Sequence, residues 1–231
     1  MNELFDWADF LQRFTTKVLW HFTGYKKSDE DSFGILKTII SEKKLRLGKF
    51  RSEVIMPSGK KRYGHQCICM CDIPFKDLRI HTLRYGKYGI AFDKTKAIIK
   101  GHFNPVLYIH KKHYLFRYIE DNLLNHIDAI AKIDNEFGRK LNEYLLILGT
   151  YFKPSDLTAP ISFENIRMDE MQNNNFYYER EWRSAYIWNY KSEDIEAIMV
   201  QKKDITETKN LMEDIGIFDV PIIPHEMIEK L

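Results

Sequence analysis

Apolar positions along this chain alternate between two periods, and each change of period marks an element. Leu4, Phe5, Phe10, Leu11 and Phe14 fall near one face of a short helix over residues 3–15. Residues 17–22, Lys-Val-Leu-Trp-His-Phe, predict a first strand that ends at Thr23-Gly24. After a polar loop at 26–31, Phe33, Leu36, Ile39 and Ile40 share one face of a helix over 32–43, with Ser32 as its N-cap. A short strand at Leu45–Leu47 follows. Cys67–Ile73 predicts a buried strand that Pro74 ends, and residues 75–84 a helix. The turn Tyr85-Gly86-Lys87-Tyr88-Gly89 leads into a strand at 90–92, a helical turn at 95–100 and a strand at 105–110.

Between residues 112 and 152 the period becomes helical. Leu115, Phe116, Ile119, Leu123, Ile127, Ile130 and Ile133 form one series, and Phe137, Leu141, Tyr144, Leu145 and Leu148 a second. Two helices are expected, broken near Asp134-Asn135. Strands at 176–189 and 195–202, a helix at 205–214 and a strand at 219–223 complete the pattern. The expected fold is α+β: one domain over 1–231, a mixed β-sheet with a helical insert at about 112–152.

Composition changes this picture little. The chain has 231 residues, 44% hydrophobic and 29% charged, with net charge +2, ordinary for a globular protein and too mild to require a nucleic-acid partner. Its most basic stretch, 49–66, holds Lys49, Arg51, Lys60, Lys61 and Arg62 around the turn Pro57-Ser58-Gly59. It reads as a loop or hairpin that is a solvated face, or that guides an anionic substrate. The chain has no run of 18 apolar residues and its start lacks the pattern of a signal peptide, so no membrane contact and a cytoplasmic location are expected. An odd set of cysteines, Cys67, Cys69 and Cys71, agrees with a reducing compartment.

The run His65-Gln-Cys67-Ile-Cys69-Met-Cys71 invites a metal. Alternate strand residues lie about 6.6 Å apart, whereas a zinc–sulfur bond is about 2.3 Å. Four such ligands on one strand do not converge, so small buried side chains and no metal are expected. Ser58-Gly59-Lys60-Lys61 lacks the spacing of a phosphate loop, and the chain has neither a G-x-G-x-x-G nor a G-x-S-x-G motif.

The densest chemistry is in Tyr177-Tyr178-Glu179-Arg180-Glu181-Trp182-Arg183. On a strand Glu179 and Glu181 share a face. They either pair with Arg180, Arg183 or a neighbour, or stabilise developing positive charge. His21-Phe22-Thr23-Gly24 puts His21 and Thr23 on one face, with a glycine that permits close approach to the backbone. Tyr85 and Tyr88 stand beside two glycines, where a ring can stack on a ligand or pack on the core.

The order His21, then Tyr85 or Tyr88, then Glu181 resembles the His–Tyr–Glu arrangement of ADP-ribosyltransferases. Glu179-Arg180-Glu181 is similar to the Glu-x-Glu motif of transferases in that superfamily. More narrowly, Trp20-His21-Phe22-Thr23, Cys71-Asp72-Ile73-Pro74-Phe75, Tyr85-Gly86-Lys87-Tyr88-Gly89-Ile90 and Glu181-Trp182-Arg183 resemble the AbiGi-type abortive-infection proteins. The resemblance implies an ADP-ribosyltransferase-like split mixed β-sheet whose cleft holds NAD as co-substrate. His21 would bond a ribose hydroxyl, and the backbone near Phe22 and Thr23 the nicotinamide amide. Tyr85 or Tyr88 would stack on the nicotinamide, and Arg183 would reach the pyrophosphate or pair with a glutamate. Glu181 would support an oxocarbenium-like transition state and Glu179 the acceptor, as catalytic residues. The activity implied is that of a phage-defence toxin modifying RNA or single-stranded DNA and restrained by an antitoxin protein. A protein acceptor, hydrolysis of NAD, and a non-catalytic antitoxin or binding module of the same fold are the alternatives. A cleft position for Glu181 also predicts that Glu181→Gln abolishes the chemistry with little loss of stability.

Overall fold

The computed structural model describes residues 16–48, 51–55, 61–110, 112–118, 129–130, 132–133, 135–155 and 176–229. The helix expected over 3–15, the Pro57-Ser58-Gly59 turn and the basic residues Lys49 and Lys60 lie outside the described residues. The strands in chain order are β1 (Val18–Phe22), β2 (Lys44–Leu45), β3 (Arg51–Ile55), β4 (Lys61–Gln66), β5 (Ile68–Cys71), β6 (Gly89–Asp93) and β7 (Asn104–Pro105). They continue with β8 (Leu107–His110), β9 (Phe152–Ser155), β10 (Glu181–Ser184), β11 (Trp188–Asn189), β12 (Ile195–Val200) and β13 (Ile222–Pro224). The chain divides into two compact units. One comprises Met1–Leu45, Met70–His102 and Trp188–Leu231, the other Arg46–Cys69 and Phe103–Ile187.

In the first unit the strand order is β13-β12-β6-β1-β5. β1 pairs antiparallel with β6, Trp20 opposite Ala91, and with β5, Trp20 opposite Cys71. β12 runs antiparallel to β6 and parallel to β13, so the sheet is mixed, as the sequence pattern predicts. The apolar run of β6 is buried on both faces. Ala91 packs with Trp20, Leu78, Met199 and Ile228. Phe92, one residue on and so on the other face, meets Trp188 and Tyr190 at ring distances of 4.9 and 4.8 Å.

The helix Asp29–Glu42 buries Phe33, Leu36, Ile39 and Ile40, the predicted face. Its start differs from expectation. Ser28 is the N-cap, its hydroxyl accepting the Asp31 N–H at 3.0 Å, and three acidic residues fill the first turn where the helix dipole favours them. Ser32 is buried one turn inside and donates back to the Ser28 carbonyl at 2.6 Å.

In the second unit β3 and β4 form an antiparallel hairpin, Val54 opposite Arg62, and β8 runs parallel to β9. The helix Glu136–Thr150 packs on β4 and β9, and the short helix Tyr114–Tyr118 follows β8. These are the described parts of the expected helical insert. The single strand predicted over 176–189 is instead a 3-10 turn at Phe176–Glu179, then β10, then β11. Arg180, with φ of 42°, ends the turn and redirects the chain.

Candidate functional site

The two glycine motifs of the first unit meet each other. The Gly24 N–H donates to the Tyr85 carbonyl at 2.8 Å, and the Thr23 N–H to the Tyr88 carbonyl at 3.1 Å. A Cβ on Gly24 would lie 2.6 Å from the Tyr85 oxygen and 2.7 Å from the Gly86 Cα. The close approach that Gly24 permits is therefore to the chain's own backbone. Gly86 itself has φ of 86°, a conformation that favours glycine. Gly24→Ala is expected to cost about 1–3 kcal/mol through the displaced crossing, checked by urea denaturation; an unchanged midpoint would contradict the packing.

The other first-unit residues named for NAD lie at or beside this crossing. The Thr23 hydroxyl donates to the Ser32 carbonyl at 2.8 Å. Tyr88 is 1% exposed, its ring stacks on Phe33, and its hydroxyl donates to the Asp204 carboxylate at 2.7 Å. Burial, with the Asp204 carboxylate, pushes that phenol far above its ordinary range. Tyr85 is half-buried against His81 and Tyr25, with ring distances of 5.0 and 5.6 Å. Phe22 is half-buried between Trp20 and His81. His21 is half-buried on β1 opposite Ile90. His21, Phe22, Thr23, Tyr85 and Tyr88 thus belong to the first unit, and Glu179, Glu181 and Arg183 to the second.

The acidic residues of the second unit sit in a buried ionic cluster. Glu181 and Arg183, two apart on β10, share a face. Arg183 grips the Glu181 carboxylate with two parallel bonds, Nε to Oε1 at 2.8 Å and Nη2 to Oε2 at 3.0 Å. Lys153 of β9 bonds Glu181 Oε2 at 2.8 Å and also bonds Glu179. Arg183 Nη1 donates to the Thr150 carbonyl, and the Glu181 N–H donates to the Tyr108 hydroxyl at 2.8 Å. Glu179 is 2% exposed, Arg183 6% and Glu181 8%. Glu179 lies in the 3-10 turn, not on the strand, yet both carboxylates converge on one ammonium group. Of the two readings of this segment, pairing within the protein is the one observed. Lys153 carried no motif; its one signal was a lone cation in the apolar run Tyr151-Phe152-Lys153-Pro154.

Burial raises the Glu181 carboxyl, but the charges of Arg183 and Lys153 outweigh it and hold the group below the ordinary carboxylate range. Burial lowers the Lys153 ammonium, and Glu179 with Glu181 more than restores it, leaving it above its ordinary value. The signs fix a window. A depressed carboxylate contributes stability that is present above about pH 4.3 and is lost as pH falls through its folded value. A raised lysine contributes stability that is present below about pH 10.4 and is lost as pH rises through its folded value. The expected profile is a plateau between these limits with a fall on each side, measured by denaturant midpoint against pH. Glu181→Gln should remove the carboxylate's part of the acid fall; an unchanged acid limb would contradict it.

The helix Glu136–Thr150 presents a second feature. Phe137, Tyr144 and Leu148 are spaced by seven and four residues, which places them along one face, and they are 69%, 64% and 46% exposed. On the side that packs on β4 and β9, Gly138 and Gly149 are buried and Leu145 and Leu146 half-buried, and a Cβ on Gly138 would lie 2.5 Å from the Ile133 carbonyl. Phe137, Tyr144 and Leu148 of the helical series thus face outward, while its Leu141 and Leu145 are half-buried.

Among the described residues no group of three or more His, Cys, Asp or Glu is placed to hold a metal ion, and no helix is long and apolar enough to cross a membrane. A family model described as "Putative abortive phage resistance protein AbiGi, antitoxin" matches residues 34–215. The chain belongs to that family. No curated protein and no solved structure matches it.

This finding corrects the enzymatic expectation. The family is described as an antitoxin, which points away from an NAD-dependent ADP-ribosyltransferase and from the toxin's part in the pair. The partner implied is a toxin, not an antitoxin. The roles given to NAD, to a nucleic-acid acceptor and to catalysis by Glu181 and Glu179 depended on the transferase reading. The abortive-infection resemblance, read from motifs between residues 18 and 186, is the part that holds.

Proposed function

We propose that this chain is the antitoxin of an abortive-infection toxin–antitoxin pair, and that it restrains its toxin by direct protein contact. The exposed face Phe137, Tyr144 and Leu148 forms the centre of that contact. The observation that carries the reading is this apolar stripe on a helix anchored from behind, in a family described as an antitoxin. Three large apolar side chains in a row are costly to leave in water, and aromatic anchors dominate protein interfaces. The mixed sheet supports the further reading of an ADP-ribosyltransferase-like scaffold put to binding. In that scaffold Glu181 and Arg183 hold β10 to β9 through Lys153 instead of meeting a ligand. The test is co-expression of the tagged chain with the toxin of the same system. The two should co-purify, and Phe137→Asp should release the toxin. A toxin that stays bound to the variant, or that never co-purifies while its toxicity is suppressed, would overturn contact through this face.

A further inference from the structure

The cysteine run, read as small buried side chains, contains a close pair in the second unit. The Cys67 and Cys69 sulfurs are 3.7 Å apart. Cys67 falls between β4 and β5, outside both strands. Cys67 is buried, and Cys69, exposed as a residue, turns its thiol to the buried Glu181 carboxylate. Residues two apart on an extended chain have Cα atoms no more than about 7 Å apart, and disulfides span about 4.4–6.8 Å.

We propose that Cys67 and Cys69 are a reversible oxidation site, closing to an intramolecular disulfide when the chain meets a peroxide. The two sulfurs differ in a way that assigns their parts. The hydrogen bond between the two sulfurs and the charge of Arg183 push the Cys67 thiol down against burial, while that bond, burial and the charge of Glu181 push Cys69 up. Cys67 is the thiolate that attacks. Its sulfur takes one peroxide oxygen, the O–O bond breaks, and the other oxygen leaves as water, giving a sulfenic acid. Cys69 attacks that sulfur, the S–O bond breaks, and a second water leaves with the Cys69 proton. In sum two thiols and one hydrogen peroxide become one disulfide and two waters. A divalent cation is the less favoured occupant, because Arg183 and Lys153 set two positive charges in the same cluster.

The site is tested on the full chain, reduced and then exposed to hydrogen peroxide at one equivalent. Remaining thiols are alkylated after denaturation, and intact mass and peptides are read. Of the three cysteines, only Cys71 should take the label, the Cys67–Cys69 peptide should lose about 2 Da, and dithiothreitol should restore three labels. In Cys69→Ser the reaction should stop at a Cys67 sulfenic acid that dimedone traps. Three labelled cysteines after peroxide, a bridge that uses Cys71, or dimers in place of the internal bridge would overturn the proposal. So would a zinc ion bound to the isolated chain and released by peroxide.

Discussion

Glu181→Gln lowers the free energy of unfolding by about 3–5 kcal/mol, the cost of breaking a buried ion pair by removing one partner. The carboxylate receives both bonds of the Arg183 fork and one from Lys153 in a setting where all three side chains are mostly buried. An amide offers one acceptor oxygen and turns an N–H group toward the guanidinium. Arg183 then keeps its charge with only the Thr150 carbonyl as a named partner. The expectation that this substitution largely spares stability followed from placing Glu181 in an open cleft; at 8% exposure it is buried. The paired replacement Glu181→Met with Arg183→Met separates two causes. If the loss arises from a stranded charge, the double variant recovers most of it, because an apolar pair of similar volume is often neutral or better. Chemical denaturation measures both. A single variant within about 0.5 kcal/mol of wild type would be a surface-like response and would remove the cluster as a stabilising element.

Phe137→Asp and Tyr144→Asp, each alone, weaken toxin binding by at least about tenfold, and together by more than a hundredfold, with little change in stability. Central aromatic anchors cost about 2 kcal/mol or more when truncated, and about 1.4 kcal/mol is tenfold in affinity. Both side chains are mostly exposed, so the folded chain loses little by their replacement. Ile99, also 69% exposed but on the helix Lys94–Gly101 of the first unit, is the control. Ile99→Asp should leave binding unchanged. Equal losses at Ile99 and Phe137 would mean general hydrophobic adhesion, not a defined face.

The first unit was largely legible in the sequence. Runs such as Gly89-Ile90-Ala91-Phe92 are strands wherever they stand, and the helix at 205–214 had clear spacing and limits that the fold reproduces at Ile205–Asp214. Errors arose where backbone geometry overrode side-chain pattern. Arg180 at positive φ broke one predicted strand, which no property of arginine announces. Ser28 and Ser32 are both sound caps by type, and four residues of difference moved the helix start. The spacing of Phe137, Leu141, Tyr144, Leu145 and Leu148 announced a helix but not which of them stay exposed, because two buried positions, Gly138 and Gly149, carry no hydrophobic signal. Glu179, Glu181 and Arg183 were found as a group, yet their cation partner Lys153 was not. It lies 26 residues from Glu179 and meets it only through the fold. Gly24 was recognised as a site of close approach, but sequence does not say what approaches; the answer is Gly86 and the Tyr85 carbonyl.

The measurement that bears most directly on the central claim is calorimetric titration of the purified toxin of the same system with this chain. It is paired with a growth assay of toxicity for each variant. Saturable binding by wild type, lost in the Phe137→Asp/Tyr144→Asp variant together with protection from the toxin, is the predicted result. Protection by wild type and variant alike, with no heat of binding from either, would contradict an antitoxin that works by contact through this helix.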